Sequence, residues 1–212
     1  MMHVKLEDLK FKYDGAQSYT IDGFSLEIEE GEIIALLGDS GCGKSTILRI
    51  LSGLEDRVSG RIEIGGRAVL SESVFVEPEH RNVGLVFQDY GLFPHMTVEQ
   101  NIVYGLKGMS KAEKKERLCE VLKLVKLEGV EKRYPHELSG GQQQRIALAR
   151  AIAPKPKLLL MDEPFSNLDA GLKKKIREEL RDIIKSEGIT SIIVTHDLED
   201  AEGTSDRIVS MN

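Results

Sequence analysis

Ile33-Ile34-Ala35-Leu36-Leu37 runs straight into Gly38-Asp39-Ser40-Gly41-Cys42-Gly43-Lys44-Ser45-Thr46, and Ile47-Leu48-Arg49-Ile50-Leu51 follows. Five apolar residues without polar alternation read as a strand buried on both faces, the habit of parallel sheets. The next stretch contains G-x-x-x-x-G-K-[ST] as Gly38, Gly43, Lys44 and Ser45. In that pattern Gly41 and Gly43 let the loop turn so that its N–H groups point inward at phosphate oxygens. A helix beginning near Lys44 adds its positive N-terminal end. Lys44 is expected to reach the β and γ phosphates of a nucleotide, and the Ser45 hydroxyl a Mg²⁺ ion. Gly38, Asp39, Ser40, Gly41, Cys42, Gly43, Lys44, Ser45 and Thr46 are therefore the first candidate nucleotide contacts. Cys42 fills a free position of the pattern, so no redox role is read into it.

Outward from this loop, period decides the elements. Phe24, Leu26 and Ile28 alternate with polar neighbours, Arg61-Ile62-Glu63-Ile64 alternates ahead of a Gly65-Gly66 turn, and Val83 to Phe87 is a further strand candidate. Ser110 and Glu113 form a capping box, after which Leu118, Val121, Leu122 and Val125 keep helical spacing. A helix is predicted from about Gln142 to Ala153, stopped by Pro154 and Pro156. A strand over KLLLMD follows, then a charged helix with Leu172, Ile176, Leu180 and Ile183 on one face. SIIVT, Ser191 to Thr195, is the last clear strand expected. Strands alternating with helices argue for an α/β fold with a mainly parallel sheet.

The whole chain sets bounds on function. Its 212 residues suit one domain, and 41% hydrophobic with 30% charged content is ordinary for a globular protein. A formal net charge of −6 offers no basic field for nucleic acid. Two cysteines far apart make no disulfide framework and suit a reducing cytoplasm. The opening MMHVKLEDLK lacks a signal-peptide apolar core, and no apolar run approaches the roughly 20 residues that span a bilayer. A membrane role is expected to come through a partner.

The strand LLLM delivers Asp162 and Glu163 at its C-terminal end, where ligands of parallel sheets bind. Asp162 is the candidate Mg²⁺ ligand, and Glu163 the general base for an attacking water. These pieces make the expected core that of a P-loop NTPase. In Leu138-Ser139-Gly140-Gly141-Gln142-Gln143-Gln144-Arg145, Ser139 is placed to cap a helix whose two glycines leave amides open to an anion. A second phosphate-binding helix start has little use within one nucleotide site. It makes sense if it closes over the nucleotide of another subunit.

With LSGGQ in place, nearly the whole chain resembles the ATP-binding cassette (ABC) ATPases. The resemblance implies a RecA-like P-loop core with an N-terminal antiparallel β subdomain and an inserted α-helical subdomain. All of residues 1–212 would be one such domain: 1–96 and 155–212 the catalytic core, 97–154 the helical part. It implies that Tyr13 stacks on adenine and that Gln88 approaches Mg²⁺ and the water. It further implies that Ser166 to Asp169 crosses a dimer seam, with Asp169 near nucleotide, and that His196 contacts the γ-phosphate. Ser139, Gly140, Gly141 and Gln142 would meet the nucleotide of the second copy. The catalytic set is then Glu163, His196, Gln88 and Lys44, and the metal set Ser45, Gln88 and Asp162. ATP and Mg²⁺ are the implied cofactors. Taken singly, Tyr13 could be a packed strand residue, Gln88 a surface amide and His196 a core histidine.

YGLFPHMTVEQNIVYGL and RYPHELSGGQQQRIALARAIAP look like the cassettes of binding-protein-dependent importers. The implied partners are a head-to-tail second copy, a membrane permease at the inner face of the membrane and, indirectly, a solute-binding protein; nucleic acid is not among them. The permease would dock near Asp89 to His95, using Asp89, Tyr90, Leu92 and Phe93. AVLSESVFVEPEHRNVG is similar to the matching segment of ferric-iron importers. Many relatives continue into a β-rich C-terminal domain, and this sequence stops at RIVSMN, which leaves feedback control and resting dimerisation open.

Overall fold

The structure, a computed structural model, describes residues 2–168 and 170–211. In chain order come β1 (Met2–Phe11), β2 (Ile21–Glu29), β3 (Ile33–Leu37), α1 (Lys44–Ser52), β4 (Val58–Ile64), β5 (Arg67–Ser71), β6 (Val74–Phe75) and β7 (Val83–Val86). Three helices follow, α2 (Val98–Val103), α3 (Lys111–Leu124) and α4 (Gly140–Ile152). The chain closes with β8 (Leu158–Asp162), α5 (Ala170–Ser186), β9 (Ser191–Thr195), α6 (Leu198–Thr204) and β10 (Arg207–Ser210).

Two sheets result. One is antiparallel, in the order β2-β1-β4-β5-β6; the other is wholly parallel, β10-β3-β9-β8-β7. Strand side chains alternate between faces, and the parallel sheet uses both. Ile34, Leu36, Leu158, Leu160, Ile192 and Val194 join a core with α1 and the antiparallel sheet. Ile33, Leu159, Met161 and Ile193 join the opposite core, built with the helices from α2 to α5. Burial on both faces is why these strands carry almost no polar residue.

Both helix starts read from capping chemistry are present. Ser110 and Glu113 reciprocate at α3, and Ser139 and Gln142 at α4. α4 begins at Gly140, two residues before the predicted start, because the Ser139–Gln142 box outweighs the low helix propensity of two glycines. Leu118, Val121, Leu122 and Val125 are buried, as are Ile176, Leu180 and Ile183 of α5. Ser191–Thr195 is not the last strand: Arg207–Ser210 follows it as β10, hydrogen-bonded to β3. That edge strand is only half-buried, so its apolar signal is weak.

Candidate active site

Strand register assembles the site. β3, β9 and β8 are adjacent and parallel, with Leu37 opposite Thr195 and Asp162 opposite Val194. The residues after each strand therefore emerge on one edge: the Gly38 loop from β3, His196 from β9, Asp162 and Glu163 from β8. This is the carboxyl edge, where parallel sheets bind ligands.

Glycine geometry shapes the loop. A Cβ on Gly38 would lie 2.3 Å from the Met211 carbonyl oxygen and 2.9 Å from Cys42 Sγ. Gly43, the N-cap of α1, has φ of 99°, and a Cβ there would lie 2.6 Å from Ile21 Cδ1. Lys44 is buried at 6% exposure, and its ammonium donates to the Gly38 and Asp39 carbonyls at 2.7 Å each. A positive charge thus sits within the loop, held by the loop's own backbone.

Ser45 Oγ donates to Asp162 Oδ1 at 2.9 Å. Burial pushes the Asp162 carboxyl up and the neighbouring Glu163 charge adds to this, while the Ser45 hydrogen bond and the Lys44 charge pull it down. The same cleft is lined by Arg49, Phe87, Gln88 and Asn167. Gln88 is exposed there, and its carbonyl accepts from Asn167 Nδ2 at 2.8 Å. Ser45, Gln88 and Asp162, far apart in sequence, share one cleft.

Glu163 has a φ of 46°, a left-handed conformation that costs a non-glycine residue about 1 kcal/mol or more. Its amide bonds the Val194 carbonyl and its carbonyl holds Ser166, so both sides fix the turn. The side chain meets His196, with Oε1 2.8 Å from Nδ1. His196 is 59% exposed, which disposes of the core-histidine alternative. A carboxylate and an imidazole at the end of two adjacent strands can hold and pass a proton.

Tyr13 lies beyond β1, not within a strand; its hydroxyl is 3.1 Å from Thr46 Oγ1 and its ring stands edge-on to Phe11. The tyrosine is thereby tied to the phosphate loop. Ser139 and Gly140 are exposed and Gly141 is buried; among the described residues no hydrogen bond joins this helix start to the phosphate loop. Asp169 lies outside the described residues.

The family described as ABC transporter matches residues 21–166, most of the chain. The chain belongs to the ABC transporter family. Among curated relatives, this cassette is 48% identical over 198 residues to the "Fe(3+) ions import ATP-binding protein FbpC" of Pasteurella multocida, covering 92% of this chain and 56% of that protein. It thus spans little more than half the length of that relative. Among solved structures it is similar to the ATP-binding cassette MJ0796 in a dimeric post-hydrolysis state bound to ADP and Pi, with TM-score 0.82, 33% identity, and 99% and 94% of the two chains covered. It is also similar to cbiO1 from Clostridium perfringens, part of the ABC transporter complex cbiONQ, with TM-score 0.86, 29% identity, and 100% and 85% covered.

At the expected docking segment of this cassette, one assignment needs correction. Tyr90 is buried, with φ of 63°, its ring in the core and its hydroxyl near Gly140, so it has no surface to offer a partner. Asp89 is exposed, and Leu92 and Phe93 are half-buried. Two exposed aromatics were missed: Phe87, and Tyr104, whose ring centroid lies 4.9 Å from that of Phe93. Also missed was Asn101, fully buried, whose amide accepts from the Phe93 N–H and donates to the Phe93, Met96 and Thr97 carbonyls. Its only sequence signal was a polar residue at a position whose neighbours Val98 and Ile102 are apolar.

Proposed function

We propose that this cassette binds ATP with Mg²⁺, hydrolyses it as a head-to-tail dimer around two nucleotides, and so powers a membrane permease. The observation that carries the reading is the shared edge: phosphate loop, Ser45–Asp162 pair and Glu163–His196 pair at the ends of three adjacent strands. The donor set suits the metal. Ser45, Asp162 and Gln88 offer only oxygen ligands to a hard cation, few enough that phosphates and water complete its shell. Bound there, Mg²⁺ would neutralise charge on the phosphates. Lys44 and the loop amides hold the phosphate tail, Glu163 orients and deprotonates water, and His196 keeps Glu163 in place from the adjoining strand. Tyr13, tethered through Thr46, offers its ring to adenine.

The exposed α4 start supports the dimer: a capped helix with two glycines is built for an anion, and among the described residues its own phosphate loop makes no hydrogen bond to it. Glu163→Gln tests the chemistry. It is expected to retain ATP affinity, lose at least about a hundredfold in turnover, and run as an ATP-dependent dimer in light scattering. Normal turnover in that variant would remove Glu163 as the base.

The permease is proposed to dock against Asp89, Leu92, Phe93, Phe87 and Tyr104, at the inner face of the membrane. Among the described residues no helix is long and apolar enough to cross one. Ferric iron is the proposed cargo, supported by the named relative and delivered by a solute-binding protein. Tyr104→Glu, at an exposed position, should cut co-purification of the permease from solubilised membranes while ATP binding stays unchanged. A solute-binding protein encoded beside that permease and failing to bind ferric iron would retire the cargo.

A further inference from the structure

α5 carries a cation every fourth residue, at Lys173, Arg177, Arg181 and Lys185, which places all four along one side of the helix. That side faces acids of the stretch that begins directly after His196. Lys173 stands 3.8 Å from Asp197, and Arg177 stands 3.4 Å from Glu199 and 3.5 Å from Asp200. Arg181 and Lys185 close on Asp206. These contacts differ in weight. Glu199 is 82% exposed, so its pair is screened by water and contributes little. The Arg177 and Asp200 side chains are only 11% and 4% exposed. Removing one member of a shielded pair leaves the other charge uncompensated, which makes this the contact that matters. Arg177 Nε and Asp200 Oδ1 have no hydrogen-bond partner among the described residues, so each faces the other as its counter-charge.

His196 has little packing of its own. Its backbone is fixed by Thr195 at the end of β9 and by Asp197, the N-cap of α6, whose carboxylate accepts from the Glu199 and Asp200 amides. α6 has seven residues, too few to hold its shape without tertiary contacts. What α6 leans on therefore sets where the imidazole stands. The Arg177 stem also runs beneath this helix: a Cβ on Gly203 would touch Arg177 Cδ at 3.4 Å.

We infer that Arg177, acting through Asp200, is a positioning residue for His196: it anchors α6 on α5 and so keeps the imidazole against Glu163. This rests on the hydrolytic reading above.

The test compares ATP turnover and the affinity for a fluorescent ATP analogue in the full chain, below the melting transition of every variant. Arg177→Met keeps the apolar stem and removes the charge. We expect kcat to fall about tenfold, as small displacements of catalytic groups do, with KM and analogue affinity within about twofold of wild type. Asp200→Asn, nearly isosteric, should show the same split and secures the experiment if Arg177→Met fails to fold. Arg177→Lys should recover most of the turnover. Wild-type kcat in Asp200→Asn, or equal loss of turnover and affinity, overturns the proposal. Glu163→Gln is run alongside: if it hydrolyses ATP at the wild-type rate, Glu163 is not the base, and the anchor has no catalytic pair to position.

Discussion

Gly43 has no room for a methyl group. Its φ of 99° is strained for any other residue, and the added carbon would meet Ile21 Cδ1 at 2.6 Å and the Thr20 carbonyl at 3.0 Å. Gly43→Ala must therefore either rotate the loop out of its left-handed turn or push β2 away, a cost on the order of 1–3 kcal/mol. The expected result is loss of ATP binding by at least about tenfold with a lowered melting temperature. Fluorescent nucleotide titration beside a thermal melt checks it; unchanged affinity would mean the loop tolerates another path. The motif at this position was legible because its pattern is local. The reason it admits no side chain was not, since Ile21 reaches it only through the fold. Glu163 is the sharper case. A carboxylate after an apolar strand could be read from sequence, but nothing in Met-Asp-Glu-Pro announces a left-handed glutamate or its contact with His196.

At Ser139 the two glycines after the cap drew the expected start of α4 two residues too late, whereas the capping box of Ser110 and Glu113 made the start of α3 legible, since cap and partner lie three residues apart. The far end of α1 was opaque for the opposite reason. Arg81, from the loop before β7, is 2% exposed and donates to the Ile50 and Leu51 carbonyls at 2.7 and 3.2 Å and to the Val76 carbonyl at 2.7 Å. It supplies the positive charge that a helix C-terminus favours, and packs its guanidinium 5.0 Å from the Phe75 ring centroid. Burial lowers the pKa of Arg81, which stays charged throughout the working range. Arg81→Met would remove a donor from the buried Ile50 and Leu51 carbonyls and the part-buried Val76 carbonyl, of which Ile50 keeps the Gly53 N–H, costing about 2–4 kcal/mol. Urea unfolding should show that drop as a lower midpoint with an unchanged slope. Because α1 carries Lys44 and Ser45 at its other end, ATP affinity should fall less than stability. A midpoint within error of wild type would show that water replaces the guanidinium at this helix end.

At the scale of the molecule, the sequence already implied a parallel sheet, because unbroken apolar runs need cover on both faces. Its order was not implied: strand order depends on which edges meet, and β10 carried too weak a signal to be placed. Asp206, just before β10, shows what ties that order together. Its carboxylate accepts from the Ile33 amide at 2.9 Å, from Lys185 at 2.5 Å and from Arg181 at 2.7 Å, joining the start of β3, the end of α5 and the entry to β10. Burial works to raise its pKa, but the hydrogen bonds from Lys185, Ile33 and Arg181 outweigh it, and the net shift is downward. A carboxyl whose folded pKa lies below its unfolded value of about 3.9 binds fewer protons folded than unfolded between the two. Its contribution is then complete above the unfolded value and is lost as pH falls through the folded one. Asp206→Asn should cost on the order of 1–3 kcal/mol at neutral pH. The gap between wild type and variant should begin to narrow as pH drops below about 4 and close only below the lowered folded pKa, where the wild-type carboxyl is also neutral. Urea midpoints from pH 7 down through this acid range measure both; a gap that stays constant would mean that shape rather than charge at Asp206 holds the first and last strands of the sheet together.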